Sequence, residues 1–211
     1  LEVPLRERNA LLVAAGFAPM YRQRSLDDPA MASARRAIDL VLKGHEPFPA
    51  LAVDRHWNLV AHNALVPLLM EGCSAELLKP PINVLRLSLH PEGVAPRIAN
   101  LAQWRTHLLE RLQQQIAATG DTVLQALHDE LEGYPPPAVS HDAPLLDTAL
   151  SAVAVPFQVV MPSGVLSFIS TITIFGTPVD VTLQELAVES FFPADEQTAA
   201  ALTALAAQQA R

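Results

Sequence analysis

Seven histidines are the residues of this chain best suited to binding a metal. His107 and Glu110 lie one helical turn apart, but neither is followed or preceded by a second histidine at four residues, and no H-E-x-x-H zinc motif occurs. By position alone, His90 or His107 could ligate a haem. The simpler interpretation is that both are ordinary polar residues, and we expect neither a metal nor a cofactor.

Nucleophilic catalysis has no better support in the sequence. The chain contains no G-x-S-x-G turn, and Ser163 stands between Pro162 and Gly164, where turn chemistry explains it. Cys73 has no basic neighbour in sequence that would activate its thiol. No P-loop or G-x-G-x-x-G motif is present, and the chain has only eight glycines, so these motifs support no nucleotide site. We therefore predict that the protein is not an enzyme.

Arg86 is the most informative charged residue. It stands between Leu85 and Leu87 in a run that is otherwise apolar. An arginine among hydrophobic neighbours needs a partner, because an unpaired buried charge is very costly. The partner could be an acidic residue of a nearby helix, the side chain could reach solvent, or the guanidinium could hold a ligand carboxylate at the mouth of a cavity.

Three further residues share one side of a predicted helix. Arg97, Asn100 and Trp104 are spaced at i, i+3 and i+7, so they would form either the rim of a pocket or a packing seam. His62, at the end of a predicted strand, is the histidine that we consider for a place at the cavity.

Composition limits the classes of function. Half of the residues are hydrophobic and 17% are charged, which is enough for a large core. Residues 1–44 carry a net charge of +2 and residues 45–211 a net charge of −10, so the main body has no electrostatic attraction to DNA or to an anionic membrane. With no apolar run long enough to span a bilayer and no visible signal peptide, we expect a cytoplasmic protein that does not contact membranes.

The hydrophobic periodicity predicts an α+β fold. Two short strands are followed by about ninety mostly helical residues and then by three antiparallel strands, the element order of a PAS domain. We predict a PAS-like five-stranded antiparallel sheet covered by helices, with flanking N- and C-terminal helices. Its strands lie near residues 50–54, 58–62, 153–161, 165–175 and 179–192, a helix at 97–118 packs across it, and residues 134–147 form a loop.

Longer segments resemble a known family. Residues 53–64 (VDRHWNLVAHNA) are similar to the opening of PAS domains, where an asparagine begins the first helix. Residues 81–93, 97–105, 175–183 and 189–195 resemble the C-terminal ligand-binding domain of MmyB-like transcription regulators. The resemblance implies a regulator in which a helix-turn-helix DNA-binding domain of the XRE class precedes this module, and an effector that resembles a fatty acid.

The resemblance also implies a division of the chain. Residues 1–24 would be the tail of the DNA-binding domain and a linker, 25–44 a linker helix, 45–193 the PAS-like ligand-binding domain and 194–211 a C-terminal helix. We expect a homodimer that associates through the terminal helices or an outer sheet face, because the strand at 165–175 is apolar on both faces. DNA would be bound only through the N-terminal domain.

The expected site is an apolar cavity between sheet and helices that holds a small hydrophobic ligand. A void of several hundred Å³ would support sensing, whereas a filled core would indicate a ligand-free dimerisation scaffold. Arg86 is our first choice for the ligand's polar end, with Arg97 or His62 next. The residues predicted to form the walls are Leu65, Leu69, Leu85, Leu101, Trp104, Leu108, Phe168 and Ile172.

Overall fold

The computed structural model describes residues 3–135, 154–176, 178 and 180–209. Within them, five strands form one antiparallel sheet in the order β2-β1-β5-β4-β3, which confirms the predicted α+β fold. The strands are β1 (Ala50–Val53), β2 (Leu59–His62), β3 (Phe157–Met161), β4 (Gly164–Ile174) and β5 (Ala187–Pro193). The helices are α1 (Leu5–Ala14), α2 (Ala32–Gly44), α3 (Val66–Met70), α4 (Val84–Leu89), α5 (Leu101–Thr119), α6 (Thr122–Glu132), α7 (Val181–Gln184) and α8 (Glu196–Gln209).

Local sequence signals explain where several helices begin and end. The Asp121 side chain accepts hydrogen bonds from the backbone N–H groups of Val123 and Leu124 and so begins α6. Gly120 adopts a left-handed conformation (φ 64°) and ends α5. The Asn83 side chain accepts from the backbone N–H of Arg86 at the start of α4, which fixes the wall that this short helix supplies to the core.

Both faces of the sheet's centre are covered. Leu51 and Val53 of β1 face the main core under α4, α5 and α6. Ala50 and Ala52, which point the other way, pack with Ile38 of α2 in a second cluster. The strand β1, which is apolar on both faces, is therefore covered by helices on both sides. One of these helices is α2, which packs against the sheet.

The structure differs from the sequence prediction at several element boundaries. The third strand, predicted from residue 153, begins only at Phe157. Residues 181–184, predicted as part of a strand at 179–192, form α7, because the Asp180 side chain accepts from the backbone N–H of Thr182 and begins a helix. Arg97 ends a short 3-10 helix (Ala95–Arg97), and residues 98–100 are not helical as predicted. Ile98 forms a bridge with Val159 of β3, and α5 begins only at Leu101. Residues 136–147 of the predicted loop, residue 153 of the predicted third strand and residue 179 lie outside the described residues.

The N-terminal helix α1 is fastened to the sheet domain by polar contacts. Arg6 Nε and Nη2 donate to the two carboxylate oxygens of Glu185 at 2.5 and 2.8 Å, and the backbone N–H of Leu5 donates to Gln184. Arg55, in the turn between β1 and β2, lies 4.0 Å from the same Glu185 carboxylate and 3.7 Å from Asp121. A chain of charges thus joins α1 to the sheet and to the start of α6.

Among the described residues, no helix combines the length and apolar character that crossing a membrane requires.

Candidate functional site

A cavity of about 80 Å³ lies between the sheet and helices α3, α4 and α5. The sheet supplies Leu51, Phe157 and Phe191 to its wall, and the helices supply mainly leucine and valine side chains. Its polar wall residues are Ser88 and Glu189. The cavity is therefore a mainly apolar space that would admit the hydrophobic part of a small molecule.

The cavity is smaller than the several hundred Å³ expected of a sensing pocket. Two short helices form much of its wall: α3 has five residues and α4 has six. Short helices have few internal hydrogen bonds, so their positions depend on the contacts around them. An elongated ligand would enter this space only if α3 or α4 moved outward.

Four of the predicted wall residues meet at the cavity: Leu69, Leu85, Trp104 and Leu108. The other four do not line it. Leu65 is buried outside the wall, and Leu101 is half-buried against the same core. Phe168 is fully buried beside two wall residues, with ring-centre distances of 6.0 Å to Phe157 and 6.1 Å to Phe191. Ile172 is 44% exposed.

The predicted polar residues lie around the cavity, and Arg97, Asn100 and His62 are absent from its wall. Arg97 Nη2 donates to the carbonyl oxygen of Leu69 at 2.6 Å. Asn100 Nδ2 donates to the carbonyl oxygen of Pro156 at 2.8 Å and so ties the start of α5 to the sheet. His62 is exposed, and its Nδ1 lies 2.9 Å from the carbonyl oxygen of the next residue.

Arg86 also lies away from the cavity wall. Its Nε and Nη2 donate to the two carboxylate oxygens of Glu130 on α6, both at 2.7 Å. The Tyr134 hydroxyl donates to the same carboxylate. The Arg86 guanidinium, followed by the Tyr134 hydroxyl, lowers the pKa of Glu130 against the opposing effect of burial. This ion pair with a helix acid is one of the alternatives considered from the sequence, and it pins α4 to α6.

Sequence reasoning missed Glu189 and Ser88. Glu189 of β5 is only 5% exposed and points to the helix side of the sheet, like Phe191 two residues on. The period of two along β5 is the signal that could have found it, since Ala187, Glu189 and Phe191 share one face. The Ser88 hydroxyl accepts a hydrogen bond from Trp104 Nε1 at 3.0 Å, so one wall aromatic is held in a fixed orientation.

Arg111 connects the cavity to the neighbouring turn. Its Nη1 lies 3.4 Å from Glu189 Oε1, and its guanidinium carbon lies 4.2 Å from the centre of the Trp57 ring. Trp57 adopts an uncommon positive φ of 67° and donates from Nε1 to Gln115 at 2.9 Å. The Trp57 ring is therefore held by Arg111 at its face and by Gln115 at its N–H group. In turn, the ring fixes the position of the guanidinium beside Glu189.

His107 lies against Trp104, with 5.5 Å between the ring centres. Burial, followed by the charge of Arg111, lowers the pKa of His107 below its usual value, and Glu189 and Glu110 oppose this shift. The unfolded chain therefore binds a proton at higher pH than the folded protein does. In the unfolded chain the pKa of His107 is about 6.5, and in the folded protein it is lower. The stability that neutral His107 contributes is therefore fully present above about pH 6.5, and it is lost as the pH falls from there through the pKa in the folded protein.

We accordingly expect His107→Gln to reduce the loss of stability on acidification from neutral pH to about pH 5. Urea unfolding at a series of pH values measures this effect, with the exposed His62→Gln variant as the matched control. A pH dependence in His107→Gln that is as steep as in the wild type would contradict the prediction.

Within the described residues, no group of three or more histidine, cysteine, aspartate or glutamate side chains could hold a metal ion. In a comparison with protein families, the model of the MmyB-like transcription regulator ligand binding domain matches residues 34–205. No curated protein matches the chain.

Proposed function

We propose a function from one premise: this chain belongs to the family of MmyB-like transcription regulator ligand-binding domains. Its effector, in this proposal, is a small hydrophobic molecule with a chain like that of a fatty acid. As a member of that family, the chain is the ligand-binding domain of a transcription regulator. The observation that carries the proposal is the mainly apolar cavity between the sheet and α3, α4 and α5. Leu69, Leu85, Trp104 and Leu108 are the wall residues that we assign to the effector's apolar part.

Burial of an alkyl chain would provide the binding energy. Each CH₂ group removed from water contributes about 0.8 kcal/mol. A chain of ten carbons needs more room than about 80 Å³, so part of this energy is spent on moving α3 or α4 outward. That movement would couple effector binding to a change in the shape of the domain, and so to an attached DNA-binding domain.

Filling the cavity tests this proposal. Val66 lies in the wall and is buried, so Val66→Phe places an aromatic ring in the space that the effector would use. We expect the affinity for decanoic acid or 1-decanol, measured by titration calorimetry on delipidated protein, to fall about tenfold or more, while the fold is retained. Val60→Phe is the matched control, because Val60 is partly exposed on β2. Equal affinity of Val66→Phe and wild type would contradict the assignment of the cavity.

The small volume favours a second candidate function. A core with only about 80 Å³ of free space suits a ligand-free dimerisation scaffold of the same regulator. Native mass spectrometry of the purified protein separates the two candidates: a retained hydrophobe supports sensing. Failure of the delipidated protein to bind any fatty acid, alcohol or ester supports the scaffold.

Both candidates include a homodimer. On α2, Leu40 is 73% exposed and its neighbour Val41 is also exposed, and apolar side chains in this position gain from being covered by a second subunit. We expect sedimentation equilibrium at micromolar concentration to give the mass of a dimer. A monomer under these conditions would show that this chain does not dimerise through α2.

A further inference from the structure

A carboxylate lies in the wall of the mainly apolar cavity. Glu189 is 5% exposed, and its cross-strand neighbours are Leu51 of β1 and Ile172 of β4. Within the part of the chain that the structure describes, its carboxylate accepts one side-chain hydrogen bond, from Arg111 Nη1 at 3.4 Å. A carboxylate oxygen can accept more than one hydrogen bond, so this buried group retains accepting capacity beside the cavity.

Arg111 retains donating capacity as well. Its Nη2 is buried and has no hydrogen-bond partner among the described residues. The guanidinium cannot turn freely to find one, because it lies over the Trp57 ring and Nη1 faces Glu189. A buried N–H group without a partner is costly and is usually satisfied by a bound molecule or a water.

We propose that the effector carries a neutral group that donates a hydrogen bond to Glu189, such as a hydroxyl or a primary amide, and that it is not a free carboxylic acid. This inference rests on the proposed function. Arg111 does not line the cavity, so the effector's polar group meets Glu189 and not Arg111. The charges of Glu189 and Arg111 already balance, so the site needs no further charge.

A ligand carboxylate would fit this place poorly. It would bring a second negative charge next to Glu189 in a space that is largely shielded from water, where like charges repel strongly. It has no hydrogen to donate when ionised, so Glu189 would stay without a further partner. An ester also lacks a hydrogen-bond donor, but it is neutral. Comparing an ester with a carboxylate therefore measures the effect of charge, and comparing an ester with an alcohol measures the effect of hydrogen bonding.

Four probes built on the same unbranched ten-carbon skeleton test the inference on the wild-type protein at neutral pH: 1-decanol, decanamide, methyl decanoate and decanoate. We expect titration calorimetry to show that the alcohol and the amide bind about tenfold or more tightly than decanoate, and more tightly than the ester. In Glu189→Gln, whose side chain is neutral and nearly isosteric, the disadvantage of decanoate should largely disappear.

The outcomes distinguish this inference from the proposed function. If decanoate or the ester binds wild type as tightly as the alcohol does, the assignment of Glu189 fails while hydrophobic sensing stands. If none of the four probes binds, both fail. The comparison of probes on wild type needs no variant, so it remains decisive even if Glu189→Gln does not fold.

Discussion

Replacing Gly93 by alanine is expected to lower the free energy of unfolding by about 2–3 kcal/mol. A Cβ atom added at Gly93 would lie 2.1 Å from the carbonyl oxygen of Leu87, a backbone atom of α4. The backbone N–H of the next residue, Val94, donates to that same oxygen at 2.9 Å. The turn must therefore move away from α4, which breaks this contact and shifts the cavity wall. Urea unfolding measures the loss.

Gly44→Ala is the matched control for this variant. Gly44 is exposed at the end of α2, and an added Cβ would meet nothing within 4 Å. Alanine is the better helix former, so we expect Gly44→Ala to be neutral or to stabilise by up to about 1 kcal/mol. Similar stabilities for the two variants would show that the close approach at Gly93 is unimportant.

Replacing Phe168 by alanine should have the largest effect of any single substitution considered for this protein, about 3–5 kcal/mol. The side chain is fully buried in the centre of β4, and its ring contacts those of Phe157 and Phe191. Both of these neighbours line the cavity, so the space left by the missing ring would extend the existing void. The midpoint of urea unfolding should fall without loss of cooperativity.

Phe192→Ala provides the comparison on the adjacent strand. Phe192 is 43% exposed and makes an edge contact with His45 at a ring-centre distance of 4.7 Å. Because much of its ring is already in water, we expect a loss below about 1 kcal/mol. If Phe168→Ala lowered the free energy of unfolding no more than Phe192→Ala does, Phe168 would not be a central residue of the core.

The sequence predicted the fold well where its signals are local. The five strands follow from alternating apolar residues and from turns such as the one at Pro162 and Ser163, and both kinds of signal act within a few residues. The errors lie where neighbouring elements decide the outcome. Residues 181–184 form a helix because the Asp180 side chain caps its start. Residues 98–100 are not helical because Ile98 pairs with β3.

The site was harder to predict because it depends on distant partners. Leu69, Leu85, Trp104 and Leu108 could be found from helical periodicity, which identifies the side of a helix that faces the core. The partner of Arg86 could not be identified, since Glu130 lies 44 residues away along the chain. The period of two along β5 places Glu189 on the core face, but the sequence gives no indication that Arg111, 78 residues away along the chain, is its partner.

The attachment of α1 to the sheet domain depends in part on ion pairs, and this part depends on ionic strength. The Arg6–Glu185 pair, with Arg55 and Asp121 behind it, is partly open to water, so dissolved ions screen these attractions. The contacts that enclose the cavity are mainly apolar and are not weakened in this way, except that the partly exposed Arg86–Glu130 pair between α4 and α6 is screened too. Rising salt would therefore weaken the charged part of the attachment of α1, while the buried Leu5 side chain and the apolar contacts around the cavity would keep their strength.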